Sequence, residues 1–189
     1  MILYLSIIFV AMLLLSAVVA CAYGELYFFV FGQTAIVVLC IMLIDALVAT
    51  VSRLLPKPVA RHDRKIFTVS AKEKKFYERL KIRKWKDKVP EIGHFTGFRK
   101  TKIEDPKNVE YVERFLLECC YGEIGHVFNG LLGFSVLAFA IKGEMWLAIA
   151  IPVAIINLLM NLPSLFILRY TTYKLEILRT SILKKQTKI

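Results

Sequence analysis

The chain has 189 residues, 57% of them hydrophobic, with 26 Lys and Arg against 15 Asp and Glu and a formal net charge of +11. So apolar a composition excludes an ordinary water-soluble domain, and the cations are not spread evenly through it. The apolar residues form two blocks toward the ends, and 18 of the 26 basic residues fall between Arg53 and Lys107. This layout predicts an all-α membrane protein in which four transmembrane helices form two hairpins, with a basic cytoplasmic amphipathic helix and loop between them.

The first block, residues 1–52, is interrupted near Gly24 and Glu25 and again near Gly32 and Gln33. Each part approaches the ~20 apolar residues that cross a hydrocarbon core of ~30 Å, so the block reads as two spans. Val18-Val19-Ala20-Cys21 loosely resembles a lipoprotein cleavage box, but no Lys or Arg precedes the apolar run, and a retained anchor is expected. Cys21, Cys40, Cys119 and Cys120 show no metal-binding or secreted spacing and are expected to be reduced. No metal site is expected from so few histidines, His62, His94 and His126.

Residues 53–107 form the basic middle region. Ser70 followed by Glu73 makes a capping-box pattern, and the run from Lys72 to Lys88 sets Phe76, Leu80, Ile82, Trp85 and Val89 among cations. One basic helix is expected there, either lying along anionic headgroups or simply solvated. Pro90 and Gly93 end it, and His94, Phe95, Gly97, Phe98, Arg99 and Lys100 read as a loop. Asp105 before Pro106 predicts the start of the next helix.

That helix opens a third region, 108–168, in which an amphipathic helix leads into the second hairpin. At 100° per residue, Val112, Leu116, Cys119, Glu123 and Val127 share one face, with Glu110, Arg114 and Tyr121 on the other. A carboxylate in the middle of an apolar face needs a partner, and His126, three residues on, is the nearest candidate for Glu123. A histidine beside a carboxylate is suited to take a proton from a hydroxyl nucleophile, although a structural polar pair has the same spacing. Deeper in the spans lie Asp45 and the stripe Asn157, Asn161 and Ser164, suited either to line a polar cleft or to bond between helices. Residues 169–189 carry six more cations and are expected to form a cytoplasmic tail. The cation distribution places both termini and the basic region on the cytoplasmic side.

Three segments, taken in order, carry a resemblance: Ile82-Arg83-Lys84-Trp85-Lys86-Asp87-Lys88-Val89, then Glu118 through Gly122-Glu123-Ile124-Gly125-His126, then Asn161-Leu162-Pro163 ahead of Arg169-Tyr170. Over approximately residues 56–185 the chain resembles the glycosyl-4,4′-diaponeurosporenoate acyltransferase family, bacterial membrane enzymes that esterify a fatty acid onto the sugar of a glycosylated carotenoid. The resemblance implies a multi-pass acyltransferase of the bacterial cell membrane, acting on a glycolipid of carotenoid type. It further implies His126 as general base supported by Glu123 and Glu118, and substrate contacts from Arg83, Lys84, Trp85, Lys86, Lys88, Asn161 and Arg169. The expected partners are membrane lipids, a lipid-linked acceptor and an acyl donor, either acyl-CoA or an acyl carrier protein, with no bound cofactor and no nucleic acid. The long amino-terminal hairpin departs from the family pattern, so the reaction class carries over better than the acceptor. The competing reading is a non-catalytic membrane module that binds lipid or a partner through the basic helix and the aromatic loop. A transporter fits poorly, since there is no internal repeat.

Overall fold

A computed structural model describes residues 2–89 and 103–187. The loop read at residues 90–100 lies outside this range. The described residues form helices α1 (Ile2–Tyr23), α2 (Tyr27–Leu54), α3 (Ala71–Arg79), α4 (Ile82–Trp85), α5 (Val109–Leu132) and α6 (Glu144–Gln186), with 3₁₀ turns at Lys86–Lys88 and Gly133–Lys142, and no strand. Four stretches are long and apolar enough to cross a membrane: Leu5–Tyr23, Tyr27–Leu54, Val109–Phe139 and Glu144–Gln186. Leu5, Ile7, Leu14, Val18, Leu39, Leu43 and Leu47 are all more than half exposed on α1 and α2. Water would penalise that apolar surface, whereas acyl chains would not. At 43 residues α6 is about 64 Å long, twice the hydrocarbon thickness, so its polar second half extends beyond the core.

The chain divides into two compact units, residues 1–49 with 127–161 and residues 50–126 with 162–189. In the first, Val30, Val37, Ile41, Val136, Trp146, Ile149 and Ala150 make the buried core, and the Trp146 indole donates to the Val136 carbonyl at 3.0 Å. Ser16 donates to Thr34 at 3.1 Å within it, linking α1 to α2. Asn157 donates to the Asn129 carbonyl at 3.0 Å and reaches Asp45 at 3.5 Å, while Asn161 donates to the Asn157 carbonyl and side-chain oxygens at 3.0 and 3.2 Å. Asp45 thus gains the partner that its sequence position leaves open, and the asparagine stripe is spent on internal bonding. Gly133 permits this approach, since a Cβ there would lie 2.6 Å from Asn157 Nδ2.

In the second unit the structure corrects two boundaries. The single basic helix expected over 72–88 is broken, because Lys81 turns into the left-handed region (φ 52°) between α3 and α4. The turn buries Ile82 with Tyr77 and Ile167, and Trp85 packs on this cluster while donating to the Leu80 carbonyl at 2.9 Å. Burial of one isoleucine and satisfaction of an indole N–H outweigh helical propensity at one lysine. The next helix begins at Val109, not at Pro106, because Asn108 Oδ1 accepts from the Tyr111 N–H at 3.2 Å and supplies the cap. The continuation of α5 toward the third span is unbroken, as expected, and α6 likewise runs through position 169 without a break.

Candidate active site

The second unit is organised by one arginine. After α2 the chain makes a series of tight turns, with Val59 N–H bonded to the Pro56 carbonyl at 2.8 Å and Phe67 N–H to that of Arg64 at 2.9 Å. Ala60 and Phe67 bury themselves against Cys120 and Tyr121 of α5, and the Tyr121 hydroxyl donates to the Leu55 carbonyl at 2.9 Å. Tyr121, read as facing away from the apolar stripe, is therefore covered by this segment. Ser70 then caps α3 by accepting from the Glu73 N–H at 3.1 Å. The cap was legible in the sequence, and the Glu73 carboxylate, which the Ser70 backbone N–H also stabilises as the box requires, reaches beyond it to Arg169.

All five N–H donors of Arg169 are used. Nε and Nη2 form a fork on Glu73 at 2.6 and 2.9 Å, Nη1 donates to Glu123 at 3.0 Å and to the Ile66 carbonyl at 2.7 Å, and Nη2 also donates to the Thr68 carbonyl at 3.2 Å. Thr172, one helical turn on, donates to the other Glu123 oxygen at 2.9 Å. The Glu123 side chain is only 4% exposed, against 24% for Glu73, so the guanidinium neutralises one carboxylate that water cannot reach and one that it can. Burial by itself would raise the Glu73 carboxyl, but hydrogen bonds from Arg169 and Tyr77 outweigh it and hold the group below the ordinary carboxylate range. Burial and the adjacent Glu73 carboxylate push the Tyr77 phenol upward.

Of the residues singled out by sequence, Val112, Leu116, Cys119 and Glu123 are buried along one face of α5, as expected, while Val127 is 42% exposed. Glu123 does have a partner, but the partners given to it are Arg169 and Thr172, which the spacing of α5 alone does not supply. His126 and Glu118 are both partly buried on the same helix. Arg169, expected at the substrate, has its donors committed within the protein. Arg83, Lys84 and Lys88 are exposed, Trp85 and Lys86 are partly covered, and Lys86 lies 3.3 Å from Asp87. Asn161 belongs to the other unit.

The sequence reading passed over a second polar pair. His62, in the turns after α2, sets Nδ1 against the Glu176 carboxylate of α6, two turns beyond Arg169. Both residues line a cleft of about 910 Å³ whose wall also includes Thr68 and Thr172, the residues that hold Arg169 and Glu123. Phe67, Val69 and Ile177 give it an apolar side, and Lys184 and Lys185 also line it. The available signal was that a histidine among few in the chain opens the basic region; its acidic partner is 114 positions away, beyond any spacing rule.

Among the described residues no group of three or more His, Cys, Asp and Glu side chains is arranged to hold a metal ion. A family model described as glycosyl-4,4′-diaponeurosporenoate acyltransferase matches residues 62–181, close to two thirds of the chain. No curated protein and no solved structure matches.

Proposed function

The chain belongs to the glycosyl-4,4′-diaponeurosporenoate acyltransferase family, and from that premise we propose that it is a membrane-bound enzyme that moves a fatty acyl group from an acyl thioester to a hydroxyl of a lipid-linked acceptor, such as a glycosylated isoprenoid. The observation that carries this reading is the matched stretch itself, which holds Glu73, Glu123, Arg169 and Thr172 together with both residues of the His62–Glu176 pair. Four apolar helices keep such an enzyme in the bilayer where its acceptor resides. The cation distribution sets both termini and the basic region toward the cytoplasm of a bacterial cell membrane, the side from which acyl-CoA or an acyl carrier protein arrives.

Transfer of this kind needs a positioned base for the attacking hydroxyl. Two described histidines have a carboxylate within reach of their own element or a neighbouring one. His126 follows Glu123 on α5, where Arg169 and Thr172 fix the helical turn that carries both, so the support from Glu123 is that of an anchor. His62 has Glu176 directly against Nδ1. The exposed cations Arg83, Lys84 and Lys88 suit the phosphates of the donor or the acidic surface of a carrier protein.

The test is direct. Purified full-length protein in liposomes of host lipid is given a labelled acyl thioester, and newly acylated lipids are identified by mass. Transfer of label to a glycosylated lipid is expected. A protein that binds these lipids yet forms no acylated product would be the non-catalytic module, and the acyl-transfer reading would be abandoned.

A further inference from the structure

Histidine chemistry depends on what fixes the ring. A histidine whose Nδ1 edge rests against a carboxylate has its ring held in place, leaving the Nε2 edge for chemistry. His62 lies in this manner against Glu176: its buried Nδ1 is within ion-pair distance of the carboxylate without forming a hydrogen bond to it, and the side chain keeps 20% of its surface exposed. The residue lines the 910 Å³ cleft together with Glu176. Such a volume lies within the range of small-molecule sites.

The cleft's surroundings suit acyl transfer between amphiphiles. Phe67, Val69 and Ile177 offer an apolar wall to an acyl chain, and Lys184 and Lys185 offer cations to an anionic head group. Two further charged groups of the cleft lining are paired elsewhere: Asp63 with Arg61, and Arg179, further along α6, with Glu113 of α5 at 2.9 Å. Thr68 and Thr172 tie the cleft wall to the Arg169 network. The saturated arginine therefore has a physical task, which is to hold the segment carrying His62 against the helix carrying Glu176.

We infer that His62, oriented by Glu176, is the general base of the acyl transfer, and that the acceptor hydroxyl and the acyl thioester meet in this cleft. The inference rests on the acyl-transfer reading and names its base. The acceptor O–H gives its proton to His62 Nε2 as the oxygen attacks the thioester carbonyl carbon. The tetrahedral adduct collapses with cleavage of the C–S bond, and the departing thiolate takes the proton from the imidazolium, leaving an ester, a free thiol and neutral His62. Glu176 acts as a positioning residue for the ring.

The experiment uses full-length protein in liposomes with labelled acyl-CoA and the host lipid extract, reading kcat and KM separately. His62→Ala is expected to lower kcat at least 100-fold with KM for both substrates within about threefold, the range for loss of a positioned base. His62→Gln keeps an N–H for Glu176 but has no basic nitrogen, so it should show the same loss even if the alanine protein folds poorly. Glu176→Ala should lower kcat about tenfold, and Glu176→Gln, which keeps the side chain against Nδ1, should recover most of it. A folded His62→Gln protein with kcat within threefold of the parent overturns the assignment, as does failure of Glu176→Gln to exceed Glu176→Ala. If the parent protein forms no acylated lipid, the acyl-transfer reading fails and this inference falls with it.

Discussion

Replacing Arg169 by Met removes five N–H donors from a side chain only 15% exposed while keeping a side chain of similar length. Breaking a buried ion pair by removing one partner costs about 3–5 kcal/mol, and the structure says which partner carries that cost. Glu73 remains 24% exposed and keeps its bond from Tyr77, so water can compensate much of its loss. Glu123, 4% exposed, would keep only the Thr172 hydroxyl. The Ile66 and Thr68 carbonyls contribute at most about 1 kcal/mol each and can turn to solvent. Arg169→Met should therefore destabilise the second unit by about 3–5 kcal/mol, most of it from the stranded Glu123. Adding Glu123→Gln to Arg169→Met should recover about 2 kcal/mol, whereas adding Glu73→Gln should recover less than about 1 kcal/mol. Unfolding in mixed micelles can be followed by fluorescence of Trp85, which packs on Tyr77, Ile82 and Ile167, in a Trp146→Phe background. A loss below about 1 kcal/mol for Arg169→Met, or equal rescue by the two glutamine substitutions, would refute the picture of a buried charge held by one guanidinium.

Acid should weaken the same network through Glu73. Because its carboxyl is held below the unfolded value, its contribution is present above the ordinary carboxylate range and disappears as the pH falls through the folded value. Melting temperature should drop more steeply below about pH 5 in the parent than in Glu73→Gln, and parallel curves would remove Glu73 from the account. In the first unit, Gly133→Ala places a methyl 2.6 Å from Asn157 Nδ2 and should cost about 1–3 kcal/mol by driving that amide off the Asn129 carbonyl. Gly32→Ala, in helix α2 with nothing within 4 Å, should be neutral or stabilising by up to about 1 kcal/mol in the same thermal assay.

The properties that were legible in advance are local ones. A run of about 20 apolar residues is long enough to span a bilayer whatever surrounds it, and the described residues hold four such helices. Ser70 caps α3 because the cap is made within four residues, and the buried face of α5 follows from a 3.6-residue repeat. Asp105 and Pro106 misled because Asn108 competes for the same cap, a choice that propensity cannot rank. The break at Lys81 came from the burial of Ile82, which depends on Ile167 in a distant helix.

The site followed the same division. That Glu123 lies in an apolar face and must be partnered could be read from spacing, since burial of an unpaired carboxylate is costly in any fold. That Arg169 and Thr172 bond it could not, because they lie 46 and 49 positions later in another helix. The pairing of His62 with Glu176, and the cleft onto which both face, exist only once the turns after α2 are laid against α6. Chain composition and periodicity dictate the membrane helices because each satisfies its own backbone and meets lipid residue by residue. The partners of the buried charges were left to the tertiary structure, since electrostatic pairing depends on distance in space and not on separation along the chain.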